Sequence, residues 1–268
     1  MSSKVILVVL DGLNYQVARQ CMGYLNGLLE QQRATLYQIE CELPSISRPL
    51  YECILTGVRP VDSGIVNNQI VRLSHHESVF SLARRQNKVT AAAAYHWVSE
   101  LYNRAPYQAV RDRFTEDSQL NIQHGCFYHW DSYPDEAVLL DAEHLRQRLQ
   151  PDFLLIHPMN IDDAGHQYGL DSAQYRNSAR NVDSLLGEYI DNWLTDGYQV
   201  MITSDHGMNQ DCSHGGILAE ERQVPLFVIG DRFRHQPCEI AQTELCGSVC
   251  QLLGLDHDKP YQPELLLL

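Results

Sequence analysis

The chain alternates between short apolar runs and longer stretches in which apolar residues recur every three or four positions. Runs of strand length predict buried β-strands, and the three-to-four spacing predicts amphipathic helices. Strands are predicted at residues 5–10, 34–39, 89–95, 153–157, 199–203 and 226–229. Helices are predicted at residues 16–32, 48–55, 78–86, 135–149, 171–194 and 243–253, the last with a threonine cap.

Buried strands that alternate with helices predict an α/β fold, a three-layer α/β/α sandwich with a mainly parallel central sheet. A chain of 268 residues can form one such unit, so we predict a single domain over residues 1–268. The aromatic tract 103–134 is either a segment that covers the substrate or ordinary packing, and packing is the commoner use of aromatic residues.

Composition and charge limit the partners. The chain is 44% hydrophobic and 20% charged, which is typical of a soluble globular protein. Its formal net charge of -14 argues against a nucleic-acid duplex or a membrane as the main partner. The first apolar run is too short for a signal peptide and the eight cysteines include no C-x-x-C pair, so we expect reduced thiols and a cytoplasmic location. An anionic substrate would need positive charge, which bound metal cations would supply.

Acidic residues follow three of the predicted strands. Asp11 comes directly after the strand at 5–10, Asp205 follows the strand at 199–203, and Asp162 follows the strand at 153–157 after a short loop. The carboxyl ends of parallel strands meet at one edge of a sheet, where sites form. Asp11 alone could simply cap the next helix. Three such carboxylates at one edge favour ligation instead, because a buried charge is costly unless it is paired or bound.

Histidines accompany these carboxylates. His166 lies four residues after Asp162, with Gly165 between them to allow a tight turn or close approach. His206 adjoins Asp205, and His214 precedes two glycines. Carboxylate and imidazole are typical zinc ligands, and six of them suffice for two ions with three protein ligands each. The candidate ligands are Asp11, Asp162, His166, Asp205, His206 and His214.

A serine precedes the predicted helix at 48–55. Ser47 is placed like an N-cap, with Pro49 in the first turn, and for an arbitrary Ser-x-Pro sequence a capping role alone is the expected one. At a helix N-terminus beside a metal, however, its hydroxyl could act as a nucleophile toward phosphorus. Ser45 is the competitor by proximity. Arg48 could contact phosphate, but a solvated arginine is expected.

Taken in order, these segments resemble the alkaline phosphatase superfamily and, within it, the nucleotide pyrophosphatase/phosphodiesterase branch. The resemblance extends from residue 5 to about residue 229. It rests on 10–13 (Leu-Asp-Gly-Leu), on 47–57 (from Ser-Arg-Pro to Thr-Gly) with its continuation at 59–60 (Arg-Pro) and 63–68 (Ser-Gly-Ile-Val-Asn-Asn), on 162–166 (Asp-Asp-Ala-Gly-His) and on 204–208 (Ser-Asp-His-Gly-Met). The branch usually has threonine at Ser47 and a last histidine far downstream. His235 and His257 are later candidates, but neither has the His-Gly context of His214.

The resemblance implies two divalent metal ions, with zinc expected and manganese as the alternative. It assigns one ion to Asp162, His166 and His214. It assigns the other to Asp11, Asp205 and His206, with Ser47 beside it. It also implies that Asn68 donates a hydrogen bond to a phosphoryl oxygen, although Asn68 could be only a turn residue.

The implied activity is hydrolysis of a small anionic phosphate ester, at a phosphodiester or pyrophosphate bond, through a phosphoseryl intermediate on Ser47. A phosphate monoesterase or phosphonate hydrolase with the same site is one alternative, and a non-catalytic metal-binding protein is another. The presence of Ser47 and Asn68 beside all six ligands argues against the latter. Tyr51 stands where a sulfatase needs arginine, which argues against a sulfatase. The leaving group and the oligomeric state stay open.

Overall fold

Eight strands form one sheet in the computed structural model, which describes residues 3–267. The strands are β1 (Lys4–Val9), β2 (Ala34–Glu40), β3 (Thr90–Tyr95), β4 (Phe114–Glu116), β5 (His124–Tyr128), β6 (Phe153–Ile156), β7 (Tyr198–Thr203) and β8 (Gln223–Ile229). Their order across the sheet is β2-β8-β7-β1-β6-β3-β5-β4. The five strands from β7 to β5 are parallel, whereas β8 pairs antiparallel with β2 and β7, and β4 pairs antiparallel with β5.

Helices cover both faces of this sheet. They are α1 (Tyr15–Cys21), α2 (Gly23–Glu30), α3 (Ser47–Thr56), α4 (Pro60–Ser63), α5 (Val79–Arg85), α6 (His96–Tyr102), α7 (Ala109–Asp112), α8 (Asp135–Leu149), α9 (Asn160–Tyr168), α10 (Ala173–Thr195), α11 (Ala219–Arg222) and α12 (Glu244–Leu252), followed by a 3-10 turn at Pro263–Leu265. Helices α1, α2, α8 and α10 pack on one face, and α3, α5, α6 and α12 on the other. The predicted three-layer sandwich with a mainly parallel sheet is confirmed.

The central strand β1 shows how the sequence builds both layers. Successive side chains of a strand point to opposite faces, so Val5, Leu7 and Val9 enter one apolar core while Ile6 and Val8 enter the other. All five are buried. A strand that is apolar on both faces can only lie inside the sheet, and β1 therefore delivers the residues that follow it to the middle of the carboxyl edge.

The helix predicted at 16–32 is wrong in one respect, because it is two helices that meet at Met22. Asn14, and not Asp11, caps α1: its side-chain oxygen accepts backbone N–H groups at 2.8 and 3.2 Å. The carboxylate of Asp183, on α10, accepts two N–H groups at the start of α2 at 2.7 and 3.0 Å. This second cap comes from a distant part of the chain, so the local pattern does not contain it.

Two other residues predicted to cap helices make no capping hydrogen bond with their side chains. Ser47 is the first residue of α3, Ile46 takes the capping position, and the Ser47 side chain makes no capping hydrogen bond. Thr243 does precede α12, but its side chain makes no capping bond either. The hydroxyl of Ser47 is consequently available for another role.

Several elements were not predicted. The tract 103–134 supplies α7, β4 and β5, and Phe127 and Tyr128 are buried in the core. Phe114 and Trp130 of the same tract are exposed, so ordinary packing accounts for only part of it. The covering role of this tract and the single-domain organisation over 1–268 stay predictions. Between residues 3 and 267, no helix is both long and apolar enough to cross a bilayer.

Candidate active site

The structure brings all six candidate ligands together at the carboxyl edge of the sheet. Asp11 follows β1, and Asp205 and His206 follow β7. Asp162 and His166 lie one turn apart on α9, a helix that the apolar pattern did not predict and that begins at Asn160 after the short loop at 157–159. His214 lies on the loop between β7 and α11 and completes the set. His235 instead bonds Thr35 and Gly230.

One group of ligand atoms is fully buried. His206 Nε2 lies 3.5 Å from Asp11 Oδ1 and 3.3 Å from Asp205 Oδ2. One ligand atom from each of the three residues lies within 4.8 Å of the other two. Three ligand atoms at this spacing could bind one metal ion.

A second group lies beside the first. His166 Nε2 is 3.4 Å from Asp162 Oδ2 and 3.2 Å from His214 Nε2, and His214 Nε2 is 3.7 Å from Asp162 Oδ1. His206 is also within 4.8 Å of Asp162 and His214, and its ring stacks on that of His214 with centroids 3.6 Å apart. His206 therefore stands at the junction of the two groups.

Backbone carbonyls orient the three histidines. Each Nδ1 bonds a carbonyl oxygen, which can only accept, so Nδ1 carries the proton and Nε2 presents its lone pair to the carboxylates. The partners of His166, His206 and His214 are the carbonyls of Cys212, Gly207 and Ser45, at 3.0, 2.8 and 2.8 Å. This arrangement of neutral imidazoles is the one that metal binding requires.

The carboxylates lack hydrogen-bond donors where they face one another. Asp11 Oδ1, Asp162 Oδ1 and Asp205 Oδ2 are buried without a hydrogen-bond partner among the described residues. Burial raises the pKa of Asp11 to about 7, and burial together with the neighbouring carboxylates raises the pKa of Asp162 and Asp205 well above the usual range. A divalent cation would favour the charged forms, and this set of carboxylate oxygens and imidazole nitrogens fits zinc or manganese.

Exposure changes across the cluster. Asp11, Asp205 and His206 have fully buried side chains, whereas the side chain of His166 is 46% exposed. Burial also lowers the pKa of His214 to about 4, so this imidazole stays neutral in the physiological range. His166 therefore marks the solvent-exposed side of the cluster.

Ser47 faces the cluster and Ser45 does not. Ser47 Oγ lies 3.0 Å from His206 Nε2. The Ser45 hydroxyl donates to the Gly216 carbonyl at 2.9 Å and accepts the Gly215 N–H at 3.0 Å. Ser45 is therefore committed to the backbone of the loop that carries His214, and Ser47 is the serine with a hydroxyl at the site.

Asn68 lies next to the start of α3, which carries Ser47. Its side-chain oxygen accepts the backbone N–H of Arg48 at 3.0 Å, which leaves the Nδ2 donor for another partner. The neighbouring Asn67 is exposed, and its side-chain oxygen accepts the N–H of Gln69 within a turn. The geometry thus favours Asn68 over Asn67 as a donor at the site.

Arg48 is not solvated as the sequence suggested. It is 1% exposed, pairs with Glu100 at 2.7 Å, and lies 4.6 Å from the centre of the Trp97 ring. Both partners lie on α6, which the apolar pattern did not predict. Arg48 therefore anchors α3, and its charge is already neutralised by Glu100.

Sequence reasoning missed three residues that contact the candidate ligands or their loops. Glu221 accepts the Gly216 N–H at 2.7 Å through its side chain and the Gly207 N–H at 2.7 Å through its carbonyl, so it joins the loops of His206 and His214. Tyr51 and His157 both contact Asp11. The sequence offered little for these residues, because a glutamate on a short polar helix and a histidine at a strand end have many ordinary uses.

Comparison with known proteins gives a consistent result. Residues 5–221 match the sequence profile described as type I phosphodiesterase / nucleotide pyrophosphatase. The chain is 22% identical to the catalytic subunit of human GPI ethanolamine phosphate transferase 2 over 277 residues, which cover 96% of the chain but 27% of that protein. It is 38% identical to human ectonucleotide pyrophosphatase/phosphodiesterase family member 7 over 84 residues, or 30% of the chain and 18% of that protein.

A solved structure shares the fold. Murine ectonucleotide pyrophosphatase / phosphodiesterase 5 superposes with a TM-score of 0.74 over 97% of both chains, at 14% identity. An inactive variant of that murine protein was solved in complex with AMP. The chain spans only about a quarter of the length of the human transferase it matches.

Replacing Asp205 by asparagine tests whether the cluster is built for cations. With chelator present, we expect the Asp205→Asn variant to unfold at or above the wild-type temperature, because it removes one of three crowded buried carboxylates. With zinc, we expect the wild type to gain about 2.7 kcal/mol per site at a free ion concentration 100 times the Kd, and the variant to gain less. Thermal unfolding with and without zinc measures both effects.

The matched control for this test is Asp211→Asn, which changes an exposed carboxylate on the loop that carries His214. It should respond to zinc as the wild type does. An equal zinc response in the Asp205→Asn variant would contradict a metal role for the buried group.

Proposed function

The chain belongs to the type I phosphodiesterase / nucleotide pyrophosphatase family, and from that premise we propose that it is a metal-dependent enzyme that cleaves phosphate esters with Ser47 as the nucleophile. The family and the alkaline phosphatase-like fold predicted from the sequence are confirmed. The observation that carries the proposal is the set of unpartnered buried carboxylate oxygens facing oriented imidazoles next to the Ser47 hydroxyl.

Two metal ions would be held by the two groups of ligands. Asp162, His166 and His214 would hold one, and Asp11, Asp205 and His206 would hold the other. We assign His206 to the group of Asp11 and Asp205 because its Nε2 lies 3.5 and 3.3 Å from their carboxylate oxygens. Bound zinc, or manganese in its place, would supply Lewis-acid charge that favours a serine alkoxide and stabilises charge on a phosphoryl group.

The charges of this assembly suit an anionic substrate. Two divalent ions contribute about +4 and three carboxylates about -3, which leaves roughly +1 before the substrate binds. A chain with a formal net charge of -14 has no comparable surplus of basic side chains. The metal groups therefore resolve the conflict between an acidic protein and an acidic substrate.

Ser47 is the group that attacks phosphorus. Its Oγ lies at the first residue of α3, where the helix dipole favours negative charge. The Ser47 Oγ–P bond forms as the bond from phosphorus to the leaving-group oxygen breaks, and the proton that the Ser47 hydroxyl loses is balanced by the one that the departing oxygen takes up from water. Water then cleaves the phosphoseryl bond and restores the Ser47 hydroxyl. Asn68 donates through Nδ2 to a phosphoryl oxygen and stabilises the charge that develops there.

A phosphodiester or pyrophosphate bond is the proposed target, and the family supports this choice. Phosphate monoesters and phosphonates are the alternative substrates for the same groups. A non-catalytic metal-binding role is disfavoured, because such a role would not need the Ser47 hydroxyl at the ligand cluster. We also propose a cytoplasmic location, which the eight free cysteines support.

Transfer to an alcohol is a second candidate activity. The similarity to the human GPI ethanolamine phosphate transferase 2 subunit, which covers 96% of the chain, favours it. The chemistry differs only in the final step, because an alcohol oxygen in place of water would attack the phosphoseryl group. The exposed side of the cluster near His166 would admit either acceptor.

Removing the Ser47 hydroxyl should abolish turnover. We expect Ser47→Ala to lower kcat/KM for an aryl phosphodiester by at least about 10³-fold, the scale seen when a hydrolase loses its nucleophile. Its metal content should not change, since alanine removes no proposed ligand.

Acid quenching of wild-type enzyme during turnover, followed by peptide mass spectrometry, should locate phosphate on Ser47. Phosphate on Ser45, or full activity of Ser47→Ala, would contradict the proposal; Ser118→Ala, at an exposed serine, is the control.

Replacing Asn68 tests the proposed phosphoryl donor. We expect Asn68→Ala to lower kcat by about 10²-fold, the effect of removing one donor to a developing oxyanion. Asn67→Ala is the matched control, because it removes the same side chain from the adjacent exposed position, and its rate should stay near that of the wild type. Steady-state kinetics of both variants decide the assignment. Equal losses would point to a loop effect shared by the two positions.

Product analysis separates hydrolysis from transfer. If water is the natural acceptor, added ethanolamine or glycerol should leave the ratio of released phosphoryl product to leaving group at one. If an alcohol is the acceptor, we expect a new phosphodiester at the expense of the hydrolysis product. Phosphorus NMR of the reaction mixture measures both. A panel of monoester, diester and phosphonate substrates in the same assay identifies the preferred bond.

A further inference from the structure

The two oxygens of the Asp11 carboxylate have different surroundings. Oδ2 is contacted by two donors, the Tyr51 hydroxyl and His157 Nε2, the latter at 3.1 Å. Oδ1 has no hydrogen-bond partner among the described residues and lies 3.5 Å from His206 Nε2. Since the carboxylate is fully buried, these contacts and not solvent decide which oxygen is available to an ion.

His157 can only be a donor in this position. Its Nδ1 lies 3.3 Å from the backbone N–H of Tyr95, which donates, so Nδ1 accepts and Nε2 carries the proton. The residue is 1% exposed, and its backbone bonds the Ala93 carbonyl and the Tyr128 hydroxyl at 2.9 and 2.6 Å. His157 therefore has the opposite tautomer to the three candidate ligand histidines, and it cannot turn to join them.

Tyr51 connects the carboxylate to the nucleophile helix. It lies on α3 one turn after Ser47 and is 3% exposed. Its ring packs edge-on against that of His157, with centroids 4.6 Å apart. The phenol is thus held between α3 and the end of β6, and its hydroxyl fixes the distance between the Ser47 helix and Asp11.

We infer that Tyr51 and His157 are positioning residues that reserve Asp11 Oδ1 for the metal ion and keep Oδ2 from binding it. The inference rests on the proposed function and deepens it. Two donors on Oδ2 draw charge from that oxygen and fix the plane of the carboxylate, so binding through both oxygens would cost both hydrogen bonds. A carboxylate that binds through one oxygen leaves a coordination position open for chemistry.

In the described structure, the group of Asp162, His166 and His214 has no comparable pair of donors on one carboxylate oxygen. Asp162 is contacted through its two oxygens by His166 and His214, which are themselves candidate ligands. Loss of Tyr51 or His157 should consequently weaken one of the two ions and not the other. This asymmetry separates positioning from a general loss of stability.

The test is metal binding by Tyr51→Phe and His157→Leu, measured on the full chain by competition with a chromophoric chelator for zinc. We expect two affinities in the wild type. In each variant, one affinity should fall by about 10–100-fold, as is typical when a partner of a ligand is lost, and the other should stay the same. The visible spectrum of the cobalt-loaded protein should change in intensity for the weakened ion, because its coordination geometry changes.

Two further variants keep the outcome clear. His157→Gln should restore most of the affinity, because its amide oxygen can accept from Tyr95 and its amide nitrogen can donate to Asp11. Tyr198→Phe is the control: it removes a buried hydroxyl that bonds the Pro151 carbonyl at 2.9 Å, outside the candidate site, and should leave both affinities unchanged.

The inference is overturned if both affinities fall together, if neither falls, or if His157→Gln behaves like His157→Leu. Those outcomes leave the proposed function standing as long as the wild type binds two ions. A wild-type protein that binds no divalent ion would instead contradict the proposed function itself, so the two failures are distinguishable.

Discussion

The rest of this structure depends on three buried carboxylates, each of which has one oxygen without a hydrogen-bond donor. In a low-dielectric interior such a group is stable only if it takes up protons or binds cations. The unpartnered oxygens of Asp11, Asp162 and Asp205 lie in such a place, next to imidazoles that backbone carbonyls keep neutral. The parallel sheet provides the position, because it ends its strands side by side and encloses their last residues with loops.

The parallel sheet and the carboxylates at its edge could be predicted from the sequence, because short local segments carry the pattern. Asp11 and Asp205 follow apolar strand runs, and the parallel sheet that these runs predict requires their ends to meet. The order of the short motifs along the chain indicated the family, and the match over residues 5–221 confirms it. The apolar pattern also gave the strands of the parallel core except β5, since buried strands leave the strongest pattern.

The remainder depends on contacts between distant segments. Asp183 of α10 caps the start of α2 after the break at Met22, and Glu100 of α6 pairs with the buried Arg48. Ser47 could not be distinguished from a capping residue until the helix start was known to lie at Ser47 with Ile46 before it. Glu221 joins two ligand loops through one carboxylate and one carbonyl, and no spacing in the sequence indicates such a link.

The difference in exposure across the ligand cluster has a kinetic meaning. The group of Asp11, Asp205 and His206 has no contact with solvent, whereas His166 has nearly half of its side chain in water. Two ions bound as proposed would therefore exchange at different speeds, the outer one quickly and the inner one only after the loops open. Purification in weak chelators would yield a protein that keeps the inner ion and has lost the outer one. The activity measured would then depend on how the sample was prepared as well as on its sequence.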